Sequence, residues 1–493
     1  MKKILIITML VAYTLVGCKK NLELKPISLI TKESFLKVEG DVEPAINGMY
    51  FRIRPMANLD FFVYGEARSE VMGASITGTL GYEKFYTNTL NKENPHVEWT
   101  PFYQTINAAN LIIKYTPGIT FGNINTKNDA LAQAYTMRAY MYFLMAKIWG
   151  SVPVRLEPTE GFDPVEIQIV KTPEADVFKQ IKDDLNKAIA LYSTNTIPTG
   201  RFKWSKPSAN AIKGDVYLWT AKRLGGGGTD LNVALTALND VQTSTTALSL
   251  VPNFADIFKY ANKGNNEIIM AVRFTSSEPA NPLQTYAHNM YASNTAFPAY
   301  IPQAQKDIVG VPLAGNGNVW QMTKLVRDQF TNDDTRKAAT YVDLFGPGPT
   351  EYFCNYGLKF NGTVENGARI FASDFILYRY ADILLMKAEA KNALLQDPTT
   401  EINLVRQRAY GSNYPSHVFV NGSQESNDDT ILKERLFELT LESKRWYDLV
   451  RFGKAFTLVP SLVGKSAQTY LLYWPIGNTT RTKEPLVTET PGW

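Results

Sequence analysis

The sequence predicts a mainly α protein in which helix–turn–helix pairs stack as a solenoid, interrupted by long irregular segments. Apolar stripes recur at three- and four-residue steps behind helix-start signals, whereas two aromatic-rich stretches show no period at all. A chain of 493 residues can bury a large core. Length alone suggests about three domain-sized units.

The first element is not part of the folded body. Lys2 and Lys3 open the chain, an apolar run covers Ile4 to Val16, and Gly17-Cys18 ends it. This is the layout of a secretory signal, and the run falls short of the roughly 20 residues that span a bilayer. Gly17-Cys18 at the end of such a run resembles a bacterial lipobox, which implies cleavage before Cys18 and lipid on its sulfur and new amino terminus. Residues 1–17 are therefore expected to leave as a signal peptide, and residues 18–30 to form the lipid anchor and tether.

The helices follow in order. Thr100-Pro101 supplies an N-cap and a first-turn proline, followed by Phe102, Ile106, Ala109 and Ile113. Met137, Tyr140, Met141, Leu144 and Ile148 form the next stripe, closed by Gly150 and Pro153. Thr172-Pro173-Glu174 repeats the start signal ahead of Phe178, Ile181, Leu185 and Ile189. Ile212, Val216 and Trp219 lead to four glycines, Gly225–Gly228, read as a turn before a helix starting at Thr229. Leu377, Tyr380, Leu384 and Ala388 form another stripe, and Leu432, Leu436, Leu439, Trp446 and Val450 suggest one long final helix.

Two segments, 72–97 and 275–320, have a different texture, mixing Gly, Thr, Asn, Pro and aromatics. Loops of this length inside a compact protein are commonly functional, and their aromatic content argues against disorder. They are the predicted working surface. A sugar ring meets a flat aromatic face with its C–H patch while polar side chains satisfy its hydroxyls. Tyr82, Tyr86 and Asn88 in the first loop, with Tyr291 and Trp320 in the second, are the candidate ligand-binding residues.

Other chemistries find little support. The net charge of +4, falling to +2 without Lys2 and Lys3, argues against a nucleic-acid protein. Cys18 would carry lipid, leaving Cys354, the second of two cysteines, as a buried small hydrophobe. His96, His288 and His417 lie far apart in metal-unlike settings, so neither metal nor cofactor is expected. Asn332–Arg336 lacks the alternating acids of a calcium loop and reads as a helix cap. Glu438 and Glu442 at i,i+4 could form a glycosidase pair. Arg435, Arg445 and Arg451 at helical spacing from Glu438, Glu442 and Asp448 favour an ion-pair network instead.

Several segments in series resemble the SusD/RagB nutrient-binding lipoproteins of Bacteroidetes. Glu98-Trp99-Thr100-Pro101-Phe102-Tyr103 through Asn110 is similar to the family's first repeat helix, and Met137-Arg138-Ala139-Tyr140 through Trp149-Gly150-Ser151-Val152-Pro153 to its next. Tyr378-Arg379-Tyr380-Ala381-Asp382 through Ala390, and Phe437-Glu438-Leu439 through Glu442-Ser443-Lys444-Arg445-Trp446-Tyr447-Asp448, resemble two further signatures. The chain ends in Thr490-Pro491-Gly492-Trp493, like the family's tail. Ser443-Lys444 stands where the family often has a histidine before the arginine.

The resemblance implies a tetratricopeptide-like helix-pair superhelix with an irregular ligand-binding half. It would divide the body into an N-terminal region, 31–274, and a C-terminal region, 275–493. It further implies a non-catalytic lipoprotein, anchored by Cys18 on the outer membrane, that captures an oligosaccharide for a SusC-like TonB-dependent transporter. A peptide ligand, or a bare protein-interaction scaffold, are the alternatives. Arg379, Glu438, Glu442, Arg445 and Asp448 are expected to be structural.

Overall fold

The computed structural model describes residues 36–57, 59–75, 81–161, 167–277, 300–309, 320–346, 348 and 350–493. Cys18, Tyr291 and His288 lie outside these residues. The fold is mainly helical. Helix α1 (Val42–Ile53) buries Val42, Ile46, Met49 and Ile53. It packs on α2 (Thr100–Tyr115), whose first turn holds Pro101 and whose inner face carries Phe102, Ile106, Ala109 and Ile112. Helix α3 (Ile124–Trp149) begins well before Met137, because the Asn123 side chain caps it by accepting the Asn125 N–H at 2.9 Å. Gly150, at φ 70°, ends it in a conformation that only glycine adopts cheaply.

Helices α4 (Glu174–Leu191), α5 (Lys206–Arg223) and α6 (Gly227–Gln242) continue the stack, each packed on its predecessor. Helix α6 starts inside the glycine run and not at Thr229. A buried clamp joins three of these helices. Arg138 of α3 donates from Nε and Nη2 to both oxygens of Asp184 on α4, at 2.8 Å each, and from Nη1 to Asn110 Oδ1 on α2 at 2.9 Å. Removing one partner from such a buried pair costs far more than its net contribution, because a bare charge remains.

The C-terminal helices are α7 (Tyr380–Ala393), α8 (Thr399–Tyr410), α9 (Gln424–Leu439) and α10 (Arg445–Arg451). The single final helix predicted from the leucine stripe is broken between α9 and α10, where Leu441 and Ser443 take φ of 68° and 63°. The physical reason is Glu66. Its carboxylate accepts the backbone N–H of Leu441 at 3.0 Å and of Lys444 at 3.2 Å, so these donors are satisfied outside a helix.

The strands are short: β1 (Met72–Ala74), β2 (Ile268–Val272), β3 (Trp320–Met322), β4 (Tyr341–Phe345), β5 (Tyr352–Gly357), β6 (Thr363–Glu365), β7 (Ala368–Ile370) and β8 (Phe375–Arg379). They pair antiparallel as β1–β3, β2–β8, β4–β5 and β6–β7. The main hydrophobic core runs from Leu36 to Val487 and draws residues from both sides of position 275, so the two predicted regions share it. Cys354 is buried on β5. Among the described residues no helix is long and apolar enough to cross a membrane.

Candidate functional site

The two loops singled out in the sequence are stitched together. Strand β1, from the first, pairs with β3, from the end of the second, in the register Met72–Met322, Gly73–Gln321 and Ala74–Trp320. Thr323 Oγ1 donates to the Glu70 carbonyl at 2.7 Å and Thr323 N to the Val71 carbonyl at 2.8 Å, extending the seam by one residue.

Trp320 is not a surface platform. It is 0% exposed, with ring centroids of Tyr82 at 4.8 Å, Phe62 at 5.5 Å and Phe85 at 6.2 Å. The alternation of a strand decides this: Trp320 and Met322 point into the core and Gln321 points out. Asn88 is also buried, at φ 53°. Its side chain accepts from Arg68 Nε at 2.9 Å and donates to the Arg68 carbonyl at 3.1 Å and Ser461 Oγ at 2.9 Å. Asn88 serves Arg68, a guanidinium lying over Trp446 at 4.2 Å and pushed down to about 9 by burial. Neither Trp320 nor Asn88 has a face free for a ligand.

Tyr82 and Tyr86 are half-buried at the edge of this aromatic cluster. Beside them the seam exposes groups that the sequence reading missed. Tyr352, on β5, is 37% exposed and its hydroxyl donates to Gln321 Oε1 at 2.5 Å. Burial of part of the ring pushes that phenol up to about 12. The Arg327 guanidinium lies 4.5 Å from the Tyr352 ring centroid and pairs with Asp343 on β4. Tyr300, 45% exposed, meets Phe353 edge-on at 5.8 Å. Tyr352 thus offers a partly exposed ring with Gln321, Arg327 and Asp343 as polar neighbours, whereas Tyr82 packs on the inward side against Trp320. Next to the seam lies a groove of about 720 Å³ with Leu325, Leu458 and Val463 on its walls and Glu70 and Arg445 in its lining.

The carboxylates of the last motif do something else. Burial would raise Glu438, but Arg408, Arg379 and Arg336 outweigh it and hold the carboxyl well below its usual range. Glu442 is held low in the same way, against burial, by Arg379 and Lys359. Arg379 Nε and Nη2 grip both Glu442 oxygens at 2.8 Å, its Nη1 reaches Glu438 Oε1 at 2.5 Å and Glu267 Oε1 at 2.7 Å, and Lys359 Nζ reaches Glu442 at 2.8 Å. Buried, ionised and fully gripped, neither glutamate can act as the proton donor that glycoside cleavage needs. Of the partners expected from helical spacing, Arg451–Asp448 forms, whereas Arg445 and Arg435 do not pair with Glu442 and Glu438. Arg445 pairs with Glu70 across the fold, and Asp448 with Arg451 and Arg435, each at 2.8 Å.

The remaining histidines are paired singly: His96 Nδ1 with Asp60, and His417 Nε2 with Asp333 at 2.6 Å while stacked on Tyr410. Asp334 caps the helical turn Thr335–Thr340, as read from the sequence. Among the described residues, no group of three or more His, Cys, Asp or Glu side chains could hold a metal ion.

A helical scaffold whose loop roots are joined beside the exposed Tyr352–Gln321–Arg327 group is consistent with a binding protein. Comparison with known proteins agrees. The SusD family model matches residues 349–493, and a SusD-like model described as "Starch-binding associating with outer membrane" matches residues 22–218. The solved structure of B. fragilis NanU is 31% identical with a TM-score of 0.84, over 95% of this chain and 100% of that one. SusD-like protein P38 of Formosa agariphila is 26% identical over 93% of this chain and 92% of its own length. A laminarin-binding SusD-like protein shares the fold at 23% identity and a TM-score of 0.73, over 93% of this chain and 100% of that one. The chain belongs to the SusD family.

Proposed function

We propose that the protein is a lipid-anchored, non-catalytic binding protein of the outer membrane that captures an oligosaccharide and passes it to a TonB-dependent SusC-like transporter. The observation that carries the binding half is the outward side of the β1–β3 seam, where the partly exposed ring of Tyr352 is bonded to Gln321 and lies beside Arg327. Stacking on tyrosine and hydrogen bonding to amide and guanidinium groups is the chemistry of saccharide recognition. The starch-binding description of the matching family model and the laminarin ligand of a protein with the same fold point the same way. Delivery to a transporter rests on the resemblance to the SusD/RagB lipoproteins, and anchoring rests on Gly17-Cys18.

Calorimetry on the lipid-free protein with neutral glucan, mannan and galactan oligosaccharides and with mixed tripeptides to octapeptides tests the ligand class. Micromolar binding of a saccharide is expected, about −8 kcal/mol. Binding confined to peptides would transfer the protein to the peptide-importing reading.

A further inference from the structure

Two segments singled out in the sequence, Met137–Trp149 and Phe437–Asp448, meet inside the core at a cavity of about 30 Å³. Tyr140 and Lys147 line it from α3, Ser443 and Lys444 from the break between α9 and α10, and Tyr447 from α10. Apart from Lys444, these residues are buried.

The Lys147 ammonium is the unusual group here. It is 6% exposed, and among the described residues none offers its Nζ an acceptor at hydrogen-bond distance; the charge partner, Asp215 Oδ2, stands 3.8 Å away. Close by are the rings of Phe143, with its centroid at 4.0 Å, and Tyr447, at 4.1 Å. They attract the charge without supplying a strong acceptor. Burial pushes Lys147 down to about 8, against the pull of Asp215. Ser443 Oγ is likewise buried without a hydrogen-bond partner in the protein. Tyr140 and Tyr447, both raised by burial, add two neutral phenols to the lining, each able to donate and accept. A buried ammonium that makes no hydrogen bond is among the costliest things a core can hold. Ordered water making about three bonds is the usual remedy, and a space of this size admits one or two molecules.

We propose that the cavity is a built hydration site, in which one or two ordered water molecules bind the Lys147 ammonium and bridge it to Ser443 Oγ and to the phenols of Tyr140 and Tyr447. The water keeps Lys147 charged inside the core. It also joins α3 to the turn that Glu66 holds, through hydrogen bonds that the two segments do not make with each other directly. The site goes beyond ligand capture and does not depend on which ligand the protein takes.

High-resolution diffraction from crystals of the lipid-free protein tests this. One or two density peaks are expected within hydrogen-bond distance of Lys147 Nζ and of at least two of the other three groups. Lys147→Met keeps the length of the side chain and removes its charge, so at least one peak should vanish while Tyr378 and Glu442 stay in place. Featureless density in the parent cavity, or peaks unchanged in Lys147→Met, would overturn the proposal. A bromide soak separates water from an anion resting on the ammonium. Anomalous signal at a peak would assign an anion site and overturn the hydration site, whereas its absence at peaks with the expected contacts supports water.

Discussion

Arg445 holds one oxygen of Glu70 with Nε at 2.9 Å and Nη2 at 2.6 Å. Both residues are buried. Glu70 stands two residues before β1, and its carbonyl takes the Thr323 hydroxyl just after β3. One ion pair thus fastens the C-terminal motif to the root of the β1–β3 seam.

Breaking such a pair strands a buried charge. Arg445→Ala should lower unfolding stability by roughly 3–5 kcal/mol, and Glu442→Ala, which strips Arg379 and Lys359 of a partner, by a similar amount. Denaturant melts check this. A loss under 1 kcal/mol in both would mean that water reaches these charges.

Gly65 admits no side chain. A Cβ there would stand 2.0 Å from the Ser443 carbonyl oxygen, a backbone atom that Glu66 helps to fix. Gly65→Ala should cost about 3 kcal/mol, the upper end of ordinary overpacking. A melt that shifts by less than a degree would show that the Leu441–Ser443 turn yields.

Glu66 makes stability fall with pH near neutrality. Burial, only partly offset by the Leu441, Arg445 and Lys444 N–H groups and by Lys359, raises its carboxyl to about 7. From about pH 4.5 to 7 the folded state holds a proton that the unfolded chain has released, so stability drops by up to about 1.4 kcal/mol per pH unit and levels off above 7. Glu174, Asp184 and Asp374, all raised chiefly by burial, act in the same direction at lower pH. Glu66→Gln should flatten the curve between pH 5.5 and 7. A slope identical to the parent's would assign the effect elsewhere.

Ligand binding should separate from folding at the seam. Tyr352→Ala, on an exposed ring, should weaken oligosaccharide binding with little change in melting. Trp320→Ala should instead destabilise by roughly 3–5 kcal/mol, as removal of a large buried ring does. Calorimetry beside thermal melts decides it; Tyr352→Ala binding at parental affinity would remove that ring from the site.

Cys18→Ala should move the protein from the membrane to the soluble fraction, since lipid on that residue is the proposed anchor. Retention after a high-salt wash would reveal another attachment.

The helical half of the molecule was largely legible because its signals are local. Pro101 in the first turn of α2, Gly150 at the end of α3, and stripes such as Phe178–Ile181–Leu185 each act over one or two turns, whereas the Asn123 cap of α3 was missed. The break after Leu439 was not legible, since Glu66, 375 positions from Leu441 in the chain, supplies the acceptor beyond the helix end. Trp320 and Asn88 were misplaced for a related reason. Composition marks a segment as aromatic or polar, but only pairing with β1 decides which side of β3 faces the core. The β4–β5 hairpin, with Tyr352 at its exposed start, was overlooked although Tyr352–Gly357 carries strand-favouring residues. Asn366-Gly367, at φ of 51° and 74°, is the kind of turn dipeptide that marks the β6–β7 hairpin.

A protein expressed from residue 19 onward holds one thiol, Cys354, which is 1% exposed and faces Leu344 across the β4–β5 ladder. A maleimide dye can reach that sulfur only when the hairpin parts from its neighbours Ile301 and Val309. The labelling rate is then a clock for opening motions beneath Tyr352. A sugar seated on that tyrosine would slow the clock, giving a readout of occupancy that needs neither heat nor a change in fluorescence.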